Sequence, residues 1–234
     1  MPTPDLIAAH RKVQATAKDV LSQLAREIRP QDTEQSIASR ASGALSERGI
    51  RETWYYDCPA LVLSGSRSCI SISGREYRPG LEPVGQTNLV TIDLSPSFMG
   101  HWGDCARSFP VEEGRVTLEP KDPNFVAGLS FLHRLKSAMS EFVTARTTFH
   151  ELALWASQRL DAEGFLNLDF RANVGHSIAT RREDRIYIEE GNHRLLGEVS
   201  FFTFEPHVRA LRGHWGFKHE DIFFFNSAGV LEEV

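Results

Sequence analysis

Three cysteines in 234 residues, Cys58, Cys69 and Cys105, form neither an even disulfide set nor a CxxC pair. A disulfide-stapled secreted scaffold is thereby excluded, and a reduced, cytoplasmic setting is expected. The chain also lacks a basic excess: 26 Lys and Arg face 31 Asp and Glu, for a net charge of −5. Nucleic-acid binding needs a concentrated basic surface, so that class of partner is not expected. No apolar run approaches the roughly 18–20 residues that span a bilayer. The N-terminus, "MPTPDLIAAHRKVQ", is polar and has no apolar signal core. Tandem repeats, low-complexity tracts and a clear linker are missing as well. One domain over 1–234 is the expectation.

Hydrophobic periodicity is what the sequence does have. Leu6, Val13, Ala17, Val20, Leu21, Leu24 and Ile28 recur at helical spacing and predict a helix from about 5 to 28, stopped by Pro30. Asp32 with Gln35 resembles a capping box for a second helix running towards Gly49. Branched and alternating residues in "ALVLSG" and "SCISIS" predict strands within 52–73. Asp122-Pro123 predicts a helix start, with Asp as cap and Pro in the first turn. Thr148 and Glu151 predict a capping box for a further helix ending near Gly164. The segments "FRANVGHSIAT", "RIYIEEG", "VSFFTFEPHV" and "HEDIFFFNSAGVLEEV" read as β-rich. Helices and antiparallel strands without a βαβ rhythm predict an α+β fold.

The stretch "VTIDLSPSFMGHWGDCARSF" reads as strand, turn and strand, and carries Asp93 and Asp104 with ten residues between them. Buried carboxylates are costly unless a cation or hydrogen bonds meet them. Further polar residues sit in apolar surroundings: His176 in "VGHSIA", Glu205 in "FTFEP" and Glu220 before "DIFFFN". Singly, each has an ordinary reading as a turn cap, a satisfied core histidine or a solvated strand end. Together, four carboxylates and an imidazole suit a pair of divalent cations, because bridging carboxylates let two ions share a compact site.

In order and context these residues resemble the M24-type metallopeptidases of the pita-bread fold: methionine aminopeptidase, aminopeptidase P, prolidase and creatinase. "NLVTIDLSPSFMGHWGDCARSFPV" resembles that family's metal hairpin, "VGHSIA" its Gly-His-Gly segment, "FTFEPHV" its Thr-(Ile/Leu)-Glu-Pro segment, and "GFKHEDIFFFNSAGVLEEV" its closing Glu-Asp strand. His176 and Glu205 are 29 positions apart, closer to aminopeptidase P and prolidase than to methionine aminopeptidase. The resemblance implies a curved antiparallel sheet flanked by helices. It implies that Asp93 chelates one metal, Asp104 and Glu220 bridge, and His176 and Glu205 bind the second. The ions implied are two of manganese, cobalt, iron or zinc, holding a hydroxide between them. Glu205 would also manage protons, and a small peptide or amide would be the substrate. Homodimers are common among such relatives.

The chain departs from this pattern at two positions. Where the family carries histidines that hydrogen-bond substrate, this sequence aligns Glu76, in "REYRPG", and Glu183, seven residues after His176. A carboxylate accepts but does not donate, so these positions would lose an oxyanion donor or instead bind a cationic substrate group; the ordinary reading is that both are solvated loop residues. His207, on the same strand face as Glu205, is the expected substitute; His101 could reach the site only through an inward loop, and His219 faces away from Glu220. Lys218 shares the face of Glu220 and stands where prolidase-like members tend to have arginine. The chain is also shorter than creatinase, prolidase and aminopeptidase P, and is expected to correspond to their catalytic part. Two rival readings remain: a non-peptide C–N hydrolase or lyase on the same fold, and a binding module without catalysis. Members of the latter kind typically lose metal ligands, and none is lost here.

Overall fold

The computed structural model describes residues 1–234. Helix α1 (Pro4–Glu27) starts where the Thr3 side chain accepts from the Leu6 N–H and Pro4 occupies the first turn. Its buried stripe runs through His10, Val13, Gln14, Ala17, Leu21 and Leu24. Helix α2 (Glu34–Glu47) follows. Its capping box is Thr33 with Ser36, one residue on from the predicted Asp32–Gln35 pair. Asp32 is otherwise engaged: it accepts from the Arg29 N–H and the Ser36 hydroxyl and pairs with Arg40 at 2.7 Å.

Strands β1 (Glu52–Thr53) and β2 (Ala60–Ser64) come next. The "SCISIS" segment does not form the predicted strand. Gly65–Cys69 is a 3₁₀ turn, and Ile70–Ser73 is irregular chain along a cavity. The hairpin is β3 (Asn88–Leu94) and β6 (Cys105–Glu112), with short strands β4 (Pro96–Phe98) and β5 (His101–Trp102) in its turn. After β7 (Arg115–Val116), helices α3 (Pro123–Phe142) and α4 (Phe149–Ala162) begin at the predicted caps, Asp122 and Thr148.

The C-terminal strands are β8 (Phe165–Asn167), β9 (Phe202–Phe204), β10 (His207–Ala210), β11 (Phe217–Phe225) and β12 (Leu231–Glu233). "FRANVGHSIAT" and "RIYIEEG" contribute only isolated bridges, His176 to Tyr187 and Ser177 to Phe202.

One antiparallel sheet runs β2-β3-β6-β11-β10-β8, with β7 on β6 and both β9 and β12 on β11. A small sheet, β1-β4-β5, closes the hairpin turn. Two apolar cores back the main sheet. One lies between α1, α2 and β2, β3, β6; the other lies between α3, α4 and β8 to β11. The seam between them is the β6–β11 pairing, and the acidic residues gather there.

Candidate metal centre

Register places the first carboxylates. Asp93 on β3 is opposite Ala106 on β6, and Ala106 is opposite Glu220 on β11. Side chains directly opposite in a sheet share a face, so Asp93 and Glu220 flank Ala106 on one rung. Asp104 precedes β6, and the buried amide of Gln14 clamps its backbone. The Gln14 Nε2 donates to the Asp104 carbonyl, and its Oε1 accepts from the Asp104 N–H, both at 2.8 Å. Sequence periodicity left Gln14 out of the helix's apolar stripe, and it is fully buried because it holds this corner.

His176 is held by β9. Its N–H donates to the Thr203 hydroxyl at 3.0 Å, and its carbonyl accepts from the Thr203 N–H at 2.7 Å. Gly175 permits this approach, since a Cβ there would lie 2.2 Å from the Thr203 carbonyl oxygen. The ring Nδ1 lies 3.0 Å from the Ser177 carbonyl, which assigns the proton to Nδ1 and leaves the Nε2 lone pair free. Burial lowers the His176 pKa to about 4, so the ring is neutral, as a metal ligand must be.

Nε2 lies 3.4 Å from Asp104 Oδ2 and 3.4 Å from Glu205 Oε1. Ligand atoms of Asp104, His176 and Glu220 all lie within 4.8 Å of one another. Asp104 Oδ2 and both carboxylate oxygens of Glu220 are buried without a hydrogen-bond partner. Burial and the neighbouring carboxylates push the pKa of Asp104 and of Glu220 well up, so these groups need a cation to stay ionised. Orphaned carboxylate oxygens beside a free imidazole lone pair fit a divalent ion.

Asp93 and Glu205 have a different partner. The Lys218 ammonium lies 2.6 Å from Asp93 Oδ2, 2.9 Å from Glu205 Oε2 and 3.2 Å from Glu220 Oε2. Burial works against its charge, but Asp93, Glu205 and Glu220 raise its pKa well above that of a free lysine. Burial likewise opposes ionisation of Glu205, yet Lys218 and then His176 bring its pKa down to about 2.

The other sequence candidates are spread out. Glu76 is exposed, because the neighbouring Tyr77 turns inward to bond Val62 and the side chain before it points out. Glu183 is exposed in a 3₁₀ turn, 3.5 Å from Arg181. Neither lines the cavity. His207 does line it, but its Nε2–H is committed to the Ser68 carbonyl at 2.7 Å. Burial lowers its pKa to about 4, so the ring is neutral and has no N–H left for an oxyanion. His101 packs edge-on against His10, 5.2 Å between centroids, and His219 turns away to Asp221.

The cavity over this cluster has a volume of about 220 Å³. Trp54 forms one wall, stacked on Trp102 at 4.5 Å and edge-on to His176 at 5.5 Å. Arg185 is the cavity residue that pattern reading missed. Its guanidinium lies 4.9 Å from the Trp54 ring, 5.3 Å from Tyr187 and 5.5 Å from Tyr55. Its Nε donates to the Arg182 carbonyl, and no carboxylate pairs with it. Arginine in a loop carries no periodic signal; only the fold brings it beside aromatics some 130 residues earlier.

Buried carboxylates and a neutral imidazole converge at the seam of an antiparallel sheet, beneath a small cavity, and form a candidate metal site. The sequence model of metallopeptidase family M24 matches residues 8–226, and the chain belongs to that family. Solved structures share its pita-bread fold. X-Pro aminopeptidase from Thermotoga maritima superposes with a TM-score of 0.81 at 18% identity, over 99% of this chain and 61% of that one. Prolidase from Pyrococcus furiosus gives 0.81 at 17%, over 100% and 64%. Dipeptidase PepE from Mycobacterium ulcerans gives 0.78 at 20%, over 99% and 58%. The chain thus spans about three fifths of these structures. No curated protein sequence matches it. No helix is long and apolar enough to cross a membrane.

Proposed function

We propose that this protein is a metal-dependent hydrolase that cleaves the C–N bond of a small peptide, with an Xaa-Pro dipeptide or short Xaa-Pro peptide as its substrate. The observation that carries the reading is the set of orphaned oxygens on Asp104 and Glu220 beside the free Nε2 of His176. A divalent ion held there would supply Lewis-acid polarisation and an acidified water. Family membership and the prolidase and aminopeptidase neighbours support the peptide as substrate.

The chain's own residues supply the rest. Glu205 is ionised, fixed by Lys218 and by the Thr203 hydroxyl at 3.3 Å, and is the group that takes the proton of the attacking water and returns it to the departing amine. Arg185 takes the donor role that the resemblance gives to histidines absent from this cavity. Its unpaired N–H groups face the cavity and offer the donor that a developing oxyanion or a substrate carboxylate needs. Trp54 and Tyr187 hold that guanidinium and exclude water from the cavity wall. A cavity below the usual ~300–1,000 Å³ of ligand pockets favours a substrate of dipeptide size.

The test is turnover of Xaa-Pro dipeptides, Xaa-Pro tripeptides, N-terminal Met peptides and guanidino acids by metal-reconstituted protein. Xaa-Pro cleavage is expected, and Arg185→Met is expected to lower kcat/KM by about 10²-fold, with partial recovery in Arg185→Lys. Metal-loaded protein that turns over none of the peptides would reject the proposal. Hydrolysis of guanidino acids alone would favour the non-peptide C–N hydrolase.

A further inference from the structure

The resemblance stated above implies two metal ions, and the side chains at the seam divide into two unequal groups. Asp104, His176 and Glu220 converge with unpartnered atoms. Asp93 and Glu205 converge on the Lys218 ammonium, which sits at ion-pair distance from both and from Glu220. We propose that Lys218 is a built-in cation occupying one of the two cation positions, so that the centre takes one divalent ion, held by Asp104, His176 and Glu220, in place of two. This rests on the metal-hydrolase reading above and specifies its centre.

Three observations carry it. First, Lys218 is not free to swing away with its backbone. The strand β11 is paired on both sides at this point, to β10 through His207 and to β6 through His219 and Glu220. The Lys218 N–H donates to the Ser108 hydroxyl at 2.8 Å, and the Ser108 hydroxyl donates to its carbonyl at 3.3 Å. Its side chain leaves the sheet on the face of Glu220, two residues on, and so enters the carboxylate cluster directly.

Second, the buried oxygens left with no partner at all are Asp104 Oδ2 and Glu220 Oε1; Glu220 Oε2 lies 3.2 Å from the Lys218 ammonium, while Asp93 Oδ2 accepts from Lys218 and Glu205 accepts from Thr203. Third, one set of side chains, Asp104, His176 and Glu220, brings its ligand atoms within 4.8 Å of one another, and Asp93 and Glu205 fall outside that set. An ammonium on strongly paired backbone is a cation that cannot be lost by chelation.

Metal content and the electronic state of Mn²⁺ test this without recourse to turnover. After equilibrium dialysis against Mn²⁺, the wild-type protein is expected to hold one ion per chain, with the uncoupled EPR signal of an isolated Mn²⁺. Lys218→Met is expected to raise the content to two, with exchange coupling between them; circular dichroism checks that the variant is folded. Asp93→Asn is expected to retain the single ion of the wild type, whereas His176→Ala loses it. Two coupled ions in the wild type, or loss of the ion in Asp93→Asn, would overturn the inference and leave the metal-hydrolase reading standing. A wild-type protein that binds no Mn²⁺, Co²⁺ or Zn²⁺ would overturn both.

Discussion

His10 shows how burial sets the charge of a single ring in this protein, away from the metal ligands. It is 5% exposed on α1, and its Nδ1 lies 2.9 Å from the Trp102 carbonyl, which assigns the ring proton to that nitrogen. Burial lowers its pKa below the ordinary 6.5, the Trp102 carbonyl works against that shift, and His101 adds to it. The sign follows from proton counting. Below its unfolded pKa the unfolded chain binds a proton that the folded chain refuses, so stability declines as pH falls through 6.5 towards the folded value. His10→Gln removes this titration while keeping a donor for the carbonyl. Urea unfolding from roughly pH 7 to pH 5 is therefore expected to give a shallower loss of stability in His10→Gln than in wild type. Parallel slopes would show that His10 does not bear this linkage. Among individual residues, the gathering of Asp93, Asp104, Glu205 and Glu220 was legible from their order along the chain, and Lys218 was legible as a neighbour of Glu220. Its reach to Asp93 and Glu205 was not, because that depends on how far β11 reaches across the seam.

At the scale of elements, the clearest local device is the start of α4. The Thr148 hydroxyl accepts from the Glu151 N–H at 3.0 Å, and the Glu151 carboxylate accepts from the Thr148 N–H at 2.7 Å. Two of the helix's free N-terminal donors are met at once, and Phe149 is carried into the C-terminal core, where it is fully buried. Thr148→Ala is expected to cost about 1 kcal/mol, seen as a lower urea midpoint with an unchanged slope; no shift in midpoint would show that the cap is replaceable. Such boxes are readable in sequence because every partner lies within one turn. Asp32 was misread because a residue one place away, Thr33, takes the cap, and Asp32 pairs with Arg40 about two turns along the helix. The strands assigned to "SCISIS" and "RIYIEEG" failed for a different reason. Alternation reports that a segment has one wet and one dry side, and a loop between sheet and cavity satisfies that without a partner strand.

Across the whole molecule, the two cores need a tie that the short β6–β11 register does not provide alone, since only His219–Arg107 and Glu220–Ala106 are paired there. Asp221 supplies it. Its side chain is fully buried and gathers Arg107 from β6 at 2.7 Å, Lys136 from α3 at 2.5 Å and Lys18 from α1 at 3.6 Å. Glu233 of β12 closes the network by pairing Lys18 at 2.6 Å and Lys136 at 2.7 Å. The group therefore joins a helix of each half to the strand that carries Glu220 and Lys218. Removing one member of a buried pair is costly because the other charges are left uncompensated; the partners here keep some access to water, which places the cost at about 3 kcal/mol, the low end for such losses. Asp221→Asn is thus expected to lower the unfolding free energy by that amount, and to make the loss depend on Lys136. In a double-mutant cycle with Lys136→Met, the paired loss is expected to be smaller than the sum of the single losses by about 1 kcal/mol or more, as for groups in one ion-pair network. Additive losses would mean that Asp221 and Lys136 are neighbours without coupling. The seam beneath the metal centre would then be held by packing of the two cores rather than by charge.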